Sequence, residues 1–324
     1  VLAGPVAAEG VTLRFEGGIG LTNGQDVGIF LFDPNMPDSS TSQFDFMHGM
    51  PRGPMSLSYR AEGNWAFDLG NGTQVRLGGI LSGSEGTASY SAPVYYLVSP
   101  RPGGPGDAPP LAEIRVCAFP NPCAIVESEL SRAYHEVMPE LMFGGSGADG
   151  STTWIGLQGF SGKLTENTSN RGYNAPTFPA FDRTTLTELD ADATGVLLAV
   201  QHERALDSGL NLLFGAGFGQ YRMTATGVSV DPAVPGDAKP VSGSFDGQRA
   251  QLSVGIEKPI SKGLSLGASV RADYWTDQPR IRMDWTEEPC TPTVCNPPSR
   301  ISNFDLVSDP FSTLTFGLSL TLRM

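Results

Sequence analysis

Apolar and polar side chains alternate without interruption along the closing stretch of the chain, Phe311 to Met324. Leu314, Phe316, Leu318, Leu320, Leu322 and Met324 fall on one parity, and Thr313, Thr315, Gly317, Ser319, Thr321 and Arg323 on the other. A period of two makes this a β-strand with one greasy and one polar face. In a soluble sandwich the greasy face would meet a second sheet, but a terminal strand there is seldom so regular and so rich in Leu. A strand that crosses lipid needs about ten residues of this pattern. The stretch supplies them, so its Leu-bearing face is expected to touch lipid.

The same alternation recurs upstream. Val11, Leu13, Phe15, Gly17, Ile19 and Leu21 oppose Thr12, Arg14, Glu16, Gly18 and Gly20, while Leu57, Tyr59, Ala61, Trp65, Phe67 and Leu69 oppose Arg60, Glu62, Asn64 and Asp68. Asn71-Gly72 then closes a tight hairpin onto Val75, Leu77, Gly79 and Leu81, which alternate with Arg76, Gly78 and Ser82. A strand from Ser131 to Phe143 turns Val137, Leu141 and Phe143 outward and Glu136 and Glu140 inward. Pro139 lies within it and calls for a bulge or an edge position. Between Thr152 and Leu164 the pattern weakens, because Trp154, Ile155, Leu157 and Phe160 do not share one parity.

Tight turns at Asn71-Gly72, Ser146 to Gly150, Asp207 to Gly209 and Ser261 to Gly263, with both termini at the same end, give about ten strands. Twelve follow if Val27 to Phe46 adds a spanning pair, and eight if the middle hairpin is discarded. The expected fold class is all-β: a transmembrane antiparallel up-and-down barrel with short turns at one end and long loops at the other.

The inward parity gathers Arg14, Glu16, Arg60, Glu62, Asp68, Arg76, Glu136, Glu140, Glu203, Arg249, Glu257, Arg271, Asp273 and Arg323. In a narrow lumen each of these charges must meet an opposite charge or water. Two outcomes are open: an ion-paired plug, or a charged constriction that selects small solutes. Gly215, Gly217 and Gly219 also face inward, either making room for a neighbour or leaving a water path. Tyr59, Trp65, Tyr274, Trp275 and Trp285 fall toward strand ends, where an aromatic girdle lies.

Composition agrees with this picture. The 324 residues include 40 Gly and 26 Pro, with only 17% charged. Such a chain suits many strands joined by turns and irregular loops. The net charge of -13 argues against a nucleic-acid partner. Val1 to Ala8 has the small residues of a signal-peptide remnant, which leaves residues 9–324 as a single barrel domain. Cys117 with Cys123 and Cys290 with Cys295 form two close pairs in Pro-rich stretches, without a histidine beside them. Two disulfide-closed loops in an oxidising compartment are expected, with zinc as the alternative. No cofactor motif is present. Catalysis would need a histidine beside an acid or Ser. His48 lies in a loop near Asp45, His135 has outward parity, and His202 cannot face the same side as the adjacent Glu203.

Over residues 9–324 the alternating terminal strand, the short turns and the leader resemble the outer-membrane β-barrels of Gram-negative bacteria. One departure is that such barrels usually end in Phe or Trp, whereas this chain ends in Arg323-Met324. The resemblance implies an outer-membrane location with loops at the cell surface. Outer-membrane lipid, lipopolysaccharide and neighbouring outer-membrane or surface proteins are the implied partners. The expected role is non-enzymatic, structural or in surface interaction, with a small-solute porin as the alternative and a surface hydrolase behind it.

Overall fold

A computed structural model describes residues 10–22, 31–32, 41–42, 55–69, 73–94, 96–100, 112–116, 124–147, 150–174, 182–230, 238–285 and 302–324. Ten strands form a closed antiparallel barrel. In chain order they are β1 (Gly10–Thr22), β2 (Met55–Asp68), β3 (Gln74–Val94), β4 (Ala124–Ser146) and β5 (Thr152–Asn174). The second half comprises β6 (Asp182–Ala205), β7 (Asn211–Val230), β8 (Lys239–Ser261), β9 (Leu264–Trp285) and β10 (Ser302–Arg323). Each strand pairs with its neighbours in sequence, and β10 closes on β1 from Thr12↔Arg323 to Thr22↔Thr313. The seam continues to the terminal residue, where Val11 N donates to Met324 O at 3.1 Å and Met324 N to Val11 O at 2.9 Å.

The twelve-strand alternative fails. Within Val27 to Phe46, Leu31–Phe32 and Thr41–Ser42 pair only with each other, as a ribbon separate from the barrel. A second small ribbon joins Tyr96–Pro100 to Ala112–Val116. Cys117, Cys123, Cys290, Cys295, His48 and the leader at residues 1–8 lie outside the described residues.

Glycine shapes the short turns. Gly150, Gly209 and Gly263 have φ of 76°, 75° and 81°, the left-handed region in which a side chain is strained. In the turn after β6, Leu206 N donates to Leu210 O and Gly209 N to Leu206 O, a loop that reverses the chain in three residues. Pro139 needs neither bulge nor edge. It is in register with Gly79 of β3, and on its other side the β4–β5 ladder passes from Val137↔Ser161 to Glu140↔Gln158 without a shift. The missing N–H costs one rung of the ladder.

On β10 the exposed side chains are Leu314, Phe316, Leu318, Leu320 and Leu322, with Leu318 74% exposed, whereas Thr315, Ser319 and Thr321 are buried in the lumen. This belt continues round the outside through Phe15, Leu57, Leu141, Leu157, Leu198, Phe218, Leu252 and Leu266. Above it the outer face changes character. Along β6, exposed Val196 is followed by exposed Thr194, Asp192, Asp190 and Glu188, and along β7 Phe218 is followed by Gln220, Arg222, Thr224 and Thr226. Strands of 20 to 24 residues, as in β6 and β7, are about twice what crosses the bilayer, so the barrel continues beyond the belt as a polar sleeve.

Candidate functional site in the lumen

The lumen is where the strands place their unusual chemistry, and at mid-height it is narrowed by a buried ion triad and the rings around it. Arg249 on β8 is 1% exposed and uses all three guanidinium nitrogens. Its Nη1 and Nη2 donate to the Glu136 carboxylate of β4 at 2.6 and 3.1 Å, and its Nε and Nη2 to the Asp273 carboxylate of β9 at 3.1 and 2.6 Å. Ser82 and Tyr134 donate to Glu136 as well, at 2.9 and 3.0 Å. The planar fork of arginine matches two carboxylates at once, which is how a buried charge is made tolerable.

Aromatic rings surround this ion triad. The Arg249 guanidinium lies 4.1 Å from the centre of Trp275 and 4.7 Å from that of Phe160. Trp275 meets Tyr134, Phe160 and Tyr221 edge-on at centroid distances of 5.8, 5.7 and 4.8 Å, the arrangement favoured by ring quadrupoles. Ile80, Met138, Leu197 and Met223 complete the layer, all buried. Trp275 is 3% exposed, so its expected place in a girdle is corrected: it is the centre of the plug. Tyr59, Trp65 and Tyr274 are exposed on the outer face, and the Trp285 side chain lies outside the described residues.

The weak pattern between Thr152 and Leu164 has the same cause. Ile155 and Leu157 face lipid, while Trp154 and Phe160 face inward, so one strand carries apolar residues on both sides. Facing glycines provide the space. Trp154 is opposite Gly144, Phe160 opposite Gly195 and Tyr221 opposite Gly247. A Cβ at any of the three glycines would fall within 2.4 to 2.5 Å of the facing ring or its hydroxyl. Aromatic residues facing glycines across paired strands are the signal that sequence reasoning missed, and it needs the register to be seen.

Toward the long-loop end, Arg132 pairs with Glu166 at 3.4 Å, donates to Gln278, and stacks 3.9 Å over the Phe311 ring. A bulge between Trp275 and Gln278 switches parity, so Gln278 points inward although Tyr274 points out. The Tyr221 hydroxyl accepts from Asp277 N at 3.0 Å and ties the bulge to the plug.

Toward the short turns the remaining charges converge. Arg323 joins Glu203 at 2.8 Å and Glu257 at 3.1 Å, and Thr321 donates to Glu257 at 2.6 Å. Arg76 pairs with Glu140 at 3.2 Å, Arg60 with Glu62 at 3.6 Å, and Glu16 with both Arg14 and Arg271 at 3.5 Å. Thirteen of the expected charges therefore lie inside. Asp68 is the correction: it is exposed at the turn end of β2. A cavity of about 130 Å³ lies among these arginines, and a smaller one of about 70 Å³, which runs beside the triad along Tyr134, Glu136, Asp273 and Trp275, shares Arg60, Gln251 and Arg271 with it.

The described histidines lie outside the lumen. His202 shares a 2.9 Å hydrogen bond with Thr153, and Glu203 beside it points inward to Arg323. His135 is bridged by the Tyr59 hydroxyl at 3.0 Å and lies 3.5 Å from Glu85 on the outer face, a contact permitted by Gly83, where a Cβ would be 2.6 Å from the imidazole. Among the described residues no cluster of His, Cys, Asp and Glu has the geometry of a metal site.

The barrel is similar to the outer membrane protease OmpT from Escherichia coli, with 8% identity over 98% of each chain and a TM-score of 0.52. Lower-scoring matches include a FadL homologue from Pseudomonas aeruginosa, with 10% identity over 99% of this chain and 93% of that one and a TM-score of 0.34. Another is the β domain of the Bordetella autotransporter BrkA, with 10% identity over 98% of this chain and all of that one and a TM-score of 0.24. At 8% identity the first likeness is one of fold. No protein-family model and no curated protein sequence matches the chain. A closed sheet of this topology, with a lipid-facing belt and short turns at one end, makes the chain a bacterial outer-membrane β-barrel.

Proposed function

We propose that the protein is a closed, non-enzymatic outer-membrane barrel that acts at the cell surface through its polar sleeve and loops. The observation that carries this reading is the mid-height layer, where Arg249, Glu136 and Asp273 are joined by bonds of 2.6 to 3.1 Å and enclosed by Trp275, Phe160 and Tyr221. The layer narrows the lumen at its height to the cavity of about 70 Å³ that runs beside it along Tyr134, Glu136, Asp273 and Trp275. Above the lipid belt, the outward Thr194, Asp192, Asp190 and Arg222 offer a hydrophilic surface at the height of lipopolysaccharide and neighbouring surface proteins. Disulfides between Cys117 and Cys123 and between Cys290 and Cys295 would pin loops at that surface.

A second reading, a small-solute channel, is favoured by one feature: Arg60, Gln251 and Arg271 line both lumen cavities. Swelling of liposomes in isotonic solutions of small sugars separates the two. The closed reading expects the wild-type barrel to give the swelling rate of protein-free liposomes. Swelling that scales inversely with sugar size would establish the channel instead.

A further inference from the structure

The inward side chains fall into two arcs of different bulk. On β4 to β9 they include Tyr134, Phe160, Leu197, Tyr221 and Trp275, the groups that crowd round the triad. On β10, β1, β2 and β3 the corresponding rows are nearly bare. One row runs Gly317, Gly18, Ser58 and Ser84 before it reaches Tyr134, and the next runs Thr315, Gly20, Ser56 and Gly86 before it reaches Arg132. No side chain of these two rows on the four strands is larger than threonine. The plug therefore occupies one side of the lumen and leaves a crescent along the other.

The 70 Å³ cavity lies in that crescent, with Ser58, Ser84, Thr313 and Thr315 on one wall and Trp275 on the other. These four hydroxyls have no hydrogen-bond partner among the described residues, although Thr315 is only 5% exposed. A buried hydroxyl without a protein partner is satisfied by water where the space is polar and roomy enough. At about 10–15 Å³ for each water, the cavity holds a file of about five. The file continues past the plug, because Arg60, Gln251 and Arg271 line this cavity and the larger one alike. Polar space thus extends from Thr22, at the loop end of β1, to Glu203, close to the turn end of β6. The charges along it are spoken for: Arg60 by Glu62, Arg271 by Glu16, and Glu136 and Asp273 by Arg249. An ion entering so narrow a space would shed its hydration shell without gaining a counter-charge. Water faces no such cost.

From the crescent of small residues, its unpartnered hydroxyls and its junction with the turn-end cavity we infer that the barrel conducts water while excluding ions and sugars. This rests on the reading of the barrel as closed to solutes and adds that the closed barrel is permeable to water. Stopped-flow light scattering tests it, on vesicles that carry the folded full-length protein and shrink in a sucrose gradient. The initial rate is expected to be several-fold above that of protein-free vesicles, while the same vesicles admit neither sucrose nor potassium. Ser58→Leu with Ser84→Leu, directly opposed across β2 and β3, should return the rate to the protein-free level and leaves Arg249, Glu136 and Asp273 in place. Ser58→Cys keeps the test decisive if the leucine pair does not insert. It should conduct water as the wild type does, lose the added flux in mercuric chloride and regain it on reduction. The wild type, whose four cysteines are at 117, 123, 290 and 295, should be unaffected. A wild-type rate equal to that of protein-free vesicles, full flux through the inserted leucine variant, or a cysteine variant indifferent to mercury overturns the inference and leaves the closed reading standing. Entry of sucrose or potassium overturns the closed reading itself.

Discussion

Two regions of one lumen solve the problem of buried charge in opposite ways. At mid-height Arg249 is clamped by Glu136 and Asp273 at 2.6 Å, stacked on Trp275 and Phe160, and shut off from water. At the turn end Arg14, Arg60, Arg76 and Arg271 face carboxylates at 3.2 to 3.8 Å around an open cavity. The residue types are the same. What differs is the company: several rings, Phe160 and Tyr221 against Gly195 and Gly247 among them, enclose Arg249, whereas at the turn end Trp154 against Gly144 lies beside a wall left open at Gly217. Charge on the inner parity therefore does not by itself say whether a barrel is plugged. The packing around the charge decides it.

Substitutions can sharpen that contrast. The largest effect is expected from Arg249→Leu, which strands Glu136 and Asp273 without a cation and should cost about 3–5 kcal/mol in the urea unfolding of vesicle-embedded protein. Arg249→Lys should recover only part of it, because an ammonium cannot fork between two carboxylates. Trp275→Ala removes the ring at the centre of the layer and should cost about 3 kcal/mol, with the cavity left open to water. Next comes a pair of glycine variants. Gly195→Ala sets a methyl 2.5 Å from the Phe160 ring and from Gln220 O and should destabilise by about 1–3 kcal/mol, whereas Gly217→Ala should change stability by no more than about 0.5 kcal/mol. Equal costs at the two glycines would erase the distinction between the regions. Arg60→Gln should have the smallest effect, below about 1 kcal/mol, since its 3.6 Å pair with Glu62 lies beside a cavity able to hold water.

The outside of the barrel was legible in the sequence, and the inside only in part. Leu314 to Leu322 face lipid because a strand's period of two leaves one choice once the Leu face is known. The ten-strand count followed from the tight turns, among which Gly150, Gly209 and Gly263 take positive φ. Inward parity placed Arg14, Glu136, Arg249 and Asp273 in the lumen, but not who meets whom. Arg249 and Glu136 are 113 positions apart and come together across the barrel, which no periodicity encodes. The aromatic layer was hidden because Phe160 and Trp275 interrupt the polar inner face, and a broken alternation gives no sign of where the ring points. Asp68 shows the converse limit. Its parity is inward, yet it lies so near the turn that it is exposed.

The claim on which the rest depends is that the layer around Arg249 closes the barrel, and single-molecule conductance across a planar bilayer tests it most directly. The wild-type protein should give no resolvable current steps in molar salt, and Trp275→Ala should give steady ones. Steady steps from the wild type, unchanged by Trp275→Ala, would contradict the account.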